Sequence, residues 1–460
     1  MEGNAEKPVH PQGPATRRLY RRLAGPTGRA VSRSPRGWLR LALLAATLGL
    51  LPACGRPAGH AQTLTFWAVG REGEAVARLI PAFEREHPGI HVDLQELPWK
   101  AAHQKLLTAF AGDTTPDIAQ LGNTWIAELV ALDALEPLQP WVDRSAEIKP
   151  ADYFRGIWDT NRIDGRLYGI PWYVDTRLLF YRKDLLKAAG FDAPPRDWAG
   201  WSRQMAALQA RPGHDHYAIL LPTNEFEQLL SLALQQDDPL LRDGGRYGNF
   251  ESAGFKRALR FYVEAFRRRQ APLLADTEVA NPWAEFGRGV YPFYFSGPWN
   301  IREFRQRLPA AQQGTWATAP LPGPDGPGAG IASGSSLVIF RHSPHQAQAW
   351  LLIEYLSRPR VQQQLYDLLG DLPPRRSAWL GDTLRNDPAL RAFRDQLERI
   401  RPTPAVPEWE RIVTEMQLVA AQAAHGELTI DQAAAEIDRR ADAILEKRRW
   451  MLAHAQAPRR

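Results

Sequence analysis

Apolar and polar positions alternate between two periods along this chain. Residues 63–70, TLTFWAVG, read as a buried strand ending in glycine. The stretch EGEAVARLIPAFEREHPGI follows, with Val76, Leu79, Ile80 and Phe83 at helical spacing and a stop at Pro88-Gly89. A second strand, IHVDLQEL, precedes an amphipathic helix, AAHQKLLTAFAG, and a short strand in PDIAQLG. This strand–helix–strand–helix–strand order predicts a parallel α/β sheet with ligand-facing loops at the carboxyl ends of its strands.

Near residue 178 the pattern starts again. LLFYRKDLLKAAG leads to a Pro194-Pro195 break and the helix WAGWSRQMAALQA. Then come a strand, YAILL, the helices EFEQLLSLALQQ and ESAGFKRALRFYVEAFRRR, and the apolar run YPFYFSG. PLPGPDGPGAG at 320–330 is the most Pro/Gly-rich stretch and reads as an exposed connector. A strand, SSLVIF, and a helix, AQAWLLIEYLS, follow it, and beyond Leu372-Pro373-Pro374 the pattern is mostly helical. The chain carries no internal repeat.

At 460 residues the chain exceeds one ordinary core and implies two domains. Its formal charge of +6 is concentrated at one end: residues 1–53 hold nine Lys and Arg against Glu2 and Glu6. Without that segment the chain is close to neutral, so charge gives no case for a nucleic-acid partner. The segment RSPRGWLRLALLAATLGLLPACG has the basic start, apolar stretch and small residues of an export signal. Leu51-Pro52-Ala53-Cys54 resembles the bacterial lipobox, with Pro52 unusual inside it. Cys54 is the single cysteine, which suits a lipid anchor and excludes an internal disulfide. A cleaved secretory signal with an incidental Cys54 is the alternative, and the extra residues before the signal suggest a start further in, at Val31.

Catalytic signatures are scarce. There is no GxSxG elbow, Walker A loop or HExxH helix. GPGAG at 326–330 precedes a strand instead of opening a helix, and His214 and His216 lack a third ligand nearby, so neither a cofactor nor a metal is expected. One stretch does ask for an explanation. FYFSGPWNI at 293–301 puts an indole, Trp299, directly after a Ser296-Gly297-Pro298 turn. Trp299 is either a plug at the core's edge or a flat face offered to a ligand.

YGIPWYVDTRLLFYRKDLLKAAG at 168–190 is very like the crossover segment of extracellular solute-binding proteins of ABC sugar transporters, with the maltose/trehalose-binding branch nearest. FEREHPGI, KLLTAFAGDTTPDI, the Trp198 segment, FSGPWNI, GSSLVIF and LPPRRSAW agree with that family in order and spacing. The resemblance implies an α/β, two-lobed periplasmic-binding-protein fold (type II), with the ligand cleft between lobes joined by crossing hinge segments. Residues 63–174 and 318–372 would form lobe 1, and 178–315 and 376–460 lobe 2, with hinges near 174–178, 315–318 and 372–376. It implies a monomer that binds a small-molecule sugar, such as maltose or trehalose, in the periplasm and delivers it to a membrane permease. Catalysis is not expected.

A sugar offers flat C–H patches and a rim of hydroxyls. Its site needs aromatic faces and planar polar side chains. In IPWYVD, extended geometry turns Tyr173 and Asp175 to one face and Trp172 and Val174 to the other, and the family uses the matching two positions for sugar. The alternative puts Tyr173 in the hinge core and makes Asp175 a helix cap. Glu72, Trp299 and Arg375 fall where the family places an acidic ligand, a platform and a ligand-binding arginine. Gly297 would let backbone and ligand approach closely. Asn123 and Trp125 stand where the family offers an acid and a tryptophan, so the acid is missing. Trp283 and Ser335 complete the candidate set. A secreted glycosidase, with two facing carboxylates, and a glycerophosphodiester-binding protein, with a cluster of cations, are the rival readings.

Overall fold

The computed structural model describes residues 62–213 and 216–455. The export-type segment, Cys54 and His214 lie outside them. Nine strands build the two main sheets among the described residues. β1 (Gln62–Val69), β2 (Ile90–Leu97), β3 (Ile118–Gly122) and β4 (Ile170–Asp175) come first. β5 (Leu178–Arg182), β6 (Ile219–Leu220), β7 (Phe293–Ser296), β8 (Trp316–Ala319) and β9 (Ser333–Ile339) follow. The first sheet runs β2-β1-β3-β9-β4 and the second β8-β5-β7-β6.

The fold is α/β and two-lobed, one lobe around each sheet. In the first lobe β1 pairs in parallel with β2, Gln62 opposite Ile90 through Val69 opposite Leu97, and with β3. Leu64, Phe66 and Ala68 point into a core shared with Trp172, Leu337 and Ile353. β9 departs from the parallel expectation. It runs antiparallel to both β3 and β4, because the chain re-enters this lobe from the other one. A register shift between Ser335 and Ser336 breaks its ladder.

Five helices position the cleft: α1 (Arg71–Val76), α2 (Glu227–Ala233), α3 (Trp299–Arg307), α4 (Pro359–Leu369) and α5 (Trp409–Ala424). The expected helix over 72–86 is split, since α1 ends at Val76 and a new helix begins at Ile80. Pro81 has no N–H to continue the ladder and its ring would crowd the carbonyl four residues back. The strand read in YAILL shrinks to Ile219–Leu220. The amides of Tyr217 and Ala218 bond to the loop carbonyls of Val290 and Gln270 instead of a neighbouring strand.

The chain passes from sheet to sheet between Asp175 and Leu178. It returns between Ala319 and Ser333, not at 315–318, because β8 belongs to the second sheet; Thr318 and Ala319 therefore lie in the second lobe, not the first. The Pro/Gly-rich stretch there is exposed only at its tip, at Asp325 and Pro327, and its flanks are buried. Leu321 is fully buried, the Gly328 amide donates to the Leu321 carbonyl at 2.7 Å, and Trp198 donates its indole N–H to the Pro322 carbonyl at 3.2 Å. The third passage follows Leu372, whose carbonyl accepts from the Val174 amide at 2.8 Å.

Candidate functional site

The carboxyl ends of β1, β3 and β4 open onto a cavity of about 680 Å³ whose far wall comes from the second lobe. Gly70, at the end of β1, has φ 67, and a Cβ there would strike the Trp99 indole and the Glu72 carboxylate. Glycine at this position lets α1 begin at once and drops Glu72 into the cavity wall.

Glu72 is 7% exposed, and its burial raises its carboxyl above the ordinary range. The Tyr173 hydroxyl and the Trp99 indole bond to it and oppose that rise, as does the charge of Arg71. Asp371, just past α4, is pushed well above its ordinary value by burial, with Glu72 and Asp175 adding repulsion and Arg71 opposing. Like charges that share a buried wall cannot both ionise cheaply. Glu72 and Asp371 therefore hold protons more tightly than free carboxyls.

Tyr173 is held from beneath by a relay. The Val69 amide donates to Gln120 Oε1 at 2.8 Å, Gln120 Nε2 donates to Ser335 Oγ at 3.2 Å, and Ser335 donates to the Tyr173 hydroxyl oxygen at 3.1 Å. Ser335 is fully buried under Tyr173. It is a support for the site, not part of its lining.

Asp175 Oδ2 accepts from Arg177 Nη1 at 2.5 Å, and Arg177 Nη2 reaches Glu227 Oε1 at 2.8 Å. Burial raises Asp175, with Arg177 opposing. On the next strand end, Asn123 donates to Thr160 Oγ1 at 2.6 Å while its own carbonyl oxygen is buried without a partner. Trp125 lies edge-on to Trp99, centroids 5.6 Å apart, to form an aromatic corner. The neighbouring Thr124 hydroxyl donates to Glu410 of α5, a bond that spans the cleft between the lobes.

Trp299 lines the second-lobe wall and opens α3. It is half-buried, and the Arg177 guanidinium carbon stands 4.7 Å from its ring centroid. Gly297 lies beneath the indole, where a Cβ would overlap the six-membered ring. That glycine admits Trp299 itself, so the expected approach of ligand to backbone there is corrected.

Glu72, Asn123, Trp125, Tyr173, Asp175 and Trp299 are thus brought together around one cavity. Two further candidates lie elsewhere. Trp283 donates its indole N–H to Asn300 Oδ1 at 2.7 Å and carries Arg307 over its ring at 4.4 Å. Asn300 in turn donates to Ser296 Oγ at 2.8 Å, so Trp283 braces the turn from behind. Arg375 is 5% exposed and spent on Asp152 (2.7 Å), Glu147 (2.8 Å) and the Ser357 carbonyl (2.6 Å), all within the first lobe. Arg375 is thus held by first-lobe partners through Nε and Nη1 and does not line the cavity.

The cavity also holds residues that sequence reasoning missed: Trp99, Arg177, Glu227, Asp371 and Glu410. Arg177 follows Asp175 by two residues but lies past the end of β4, where alternation no longer fixes a face. Nothing local marks the others.

A sequence model of the family described as bacterial extracellular solute-binding protein matches residues 67–363. The structure of the sugar-binding protein MalE from the phytopathogen Xanthomonas citri superposes with a TM-score of 0.83 at 57% identity, covering 85% of this chain and 99% of that one. A galactooligosaccharide-binding protein of Bacillus subtilis is 23% identical over 85% of this chain and 94% of its own length. The diacetylchitobiose-binding protein DasA of Streptomyces coelicolor is 23% identical over 76% and 82%.

Proposed function

This chain belongs to the bacterial extracellular solute-binding proteins, and we propose that it binds a disaccharide such as maltose or trehalose for an ABC importer. The observation that carries this reading is the cavity's composition. Trp99, Trp125, Tyr173 and Trp299 supply aromatic surface while Glu72, Asp175 and Asn123 supply planar polar groups beside it. C–H patches of a pyranose suit the first, and ring hydroxyls suit the second. The similarity to a sugar-binding MalE at 57% identity supports the same class of ligand.

The charges favour a neutral ligand over a phosphorylated one. Five carboxyls line the cavity (Glu72, Asp175, Glu227, Asp371 and Glu410), against Arg71 and Arg177, and Arg177 is already paired with two of them. A phosphodiester would meet repulsion there. The mechanism is binding with lobe closure about the crossing segments, followed by release to the permease. The protein is proposed to act as a monomer in the periplasm, held at the membrane by lipid on Cys54.

Thermal shift against a panel of mono- and disaccharides tests the ligand class. A sugar at 100 times its dissociation constant stabilises by about 2.7 kcal/mol, a readily measured rise. Stabilisation by a glycerophosphodiester but by no sugar overturns the reading.

A further inference from the structure

An indole has two faces, and in this cleft one face of Trp299 is taken by a side chain of the protein itself. The Arg177 guanidinium carbon stands 4.7 Å from the ring centroid. A guanidinium is planar and weakly hydrated, and it lies well on an aromatic face. Arg177 is 7% exposed and held by two carboxylates, Asp175 at 2.5 Å and Glu227 at 2.8 Å.

The two anchors come from different parts of the molecule. Asp175 is the last residue of β4 in the first sheet, whereas Glu227 opens α2 in the second lobe. Arg177 itself lies in the short crossing between β4 and β5. Its guanidinium therefore joins a first-lobe strand end, a second-lobe helix and the Trp299 ring at a point where the chain changes lobes.

Resting on the sugar reading above, we propose that Arg177 is a positioning residue for the ligand. It makes Trp299 a one-sided platform and ties the angle of that platform to the crossing at 175–178. Gly297 leaves room for the ring from below, and Arg177 fixes it from one face. A rotation of the crossing segment carries the guanidinium with it, so platform and lobe geometry change together. Lysine cannot replace it: a point charge on a flexible stem does not bridge both carboxylates and lie flat on the ring at once.

A double-mutant cycle read by calorimetry with maltose and trehalose tests this. Arg177→Lys weakens the tighter-binding sugar about tenfold through loss of the stacked cation. In a Trp299→Leu background the same change moves affinity by less than about twofold, because Arg177 acts through the ring. Glu227→Gln, which frees one anchor and keeps the cation, gives a smaller loss that also disappears with Trp299→Leu. Losses that persist undiminished in the Trp299→Leu background overturn the proposal. So does an unchanged affinity of Arg177→Lys accompanied only by a lower melting temperature. Should Arg177→Lys fail to fold, the Glu227→Gln cycle decides by the same criterion. If wild type takes up neither sugar, the same cycle is run with the sugar that the thermal-shift panel selects; if no sugar of the panel binds, the ligand reading itself falls and the positioning role with it. If wild type binds and the cycle is additive, only the positioning role falls.

Discussion

Two of the chain's passages between lobes each carry an arginine in nearly the same chemical setting, and the two do different work. Arg177 is 7% exposed, paired with Asp175 and Glu227 and stacked near Trp299; Arg375 is 5% exposed, paired with Asp152 and Glu147 and 5.7 Å from the Tyr153 ring centroid. Residue type, burial, the pair of carboxylate partners and the presence of an aromatic neighbour do not separate them. What separates them is where the partners sit. All of Arg375's anchors lie in the first lobe, so it stiffens one body. The anchors of Arg177 lie on both sides of a crossing, beside the cavity, so any relative movement passes through it.

The largest effect expected from this contrast is on stability. Arg375→Ala strands two carboxylates that are partly screened by solvent, at 31% and 19% side-chain exposure. It should cost about 3 kcal/mol of unfolding free energy, the lower end for a broken buried pair. Urea melts of the ligand-free protein measure this, and sugar affinity should hold within a factor of about two, since no donor of Arg375 faces the cavity. A large affinity loss with normal stability would erase the distinction between the two arginines. Trp299→Ala is the opposite experiment. It should weaken sugar binding by about 1–3 kcal/mol and leave ligand-free melting nearly unchanged, because the ring is half-buried at a cavity wall and not enclosed by core. A core residue of that size would cost about 3–5 kcal/mol of stability on truncation.

The contrast also marks how far the sequence could be read. β1 is legible because Leu64, Phe66 and Ala68 alternate with half-buried or exposed neighbours, which is the pattern of a strand with unequal faces. Glu72, Tyr173 and Asp175 are legible for a related reason: they sit at or just beyond strand ends, where an open α/β sheet places its ligands. Arg177 is not, because alternation loses its phase where the chain leaves one sheet for another. Asp371 precedes a Pro-Pro pair, and proline dominates the local signal. Arg375 was misplaced since its partners Asp152 and Glu147 are 223 and 228 residues away in sequence. Pairings of that range leave no periodic trace. The helical start at Trp299 was hidden by the residue before it: Pro298 takes a helical conformation, φ −66 and ψ −27, where the Ser-Gly-Pro run suggests a turn.

A third test concerns pH and the wall beside the last passage. Burial raises both Asp371 and Glu72, the Glu72 charge adds to the rise at Asp371, and Arg71 is the cation that opposes them. An acid that holds its proton more tightly when folded stabilises the fold below its ordinary titration range, and this advantage fades as pH rises through the raised value. The ligand-free protein should therefore lose stability as pH climbs from the ordinary carboxyl range toward neutrality. Asp371→Asn should flatten that decline, since an amide has no proton to surrender. A series of melts across pH reads the slope, and a slope identical in the variant would show that the two acids do not share the wall's charge.

The smallest effect sharpens the comparison most narrowly. Glu147 accepts one bond from Arg375 and is 31% exposed on its side chain, so its charge is partly screened. Glu147→Gln keeps the shape and an acceptor oxygen. It leaves Arg375 bonded to Asp152 and to the Ser357 carbonyl. The cost should fall within about 0–1 kcal/mol, the range of a solvated ion pair, with sugar affinity unmoved. Glu227→Gln is the matching change at the other crossing, and it too replaces one of two carboxylate partners of a buried arginine. It should show itself in affinity, because the freed guanidinium is the one lying on Trp299. If both variants behave alike, in stability or in affinity, then the position of an arginine's anchors across or within a lobe is not what sets its role. Melting and titration of this one pair of neutralised glutamates, each removing a single charge, isolate that variable from burial and residue type.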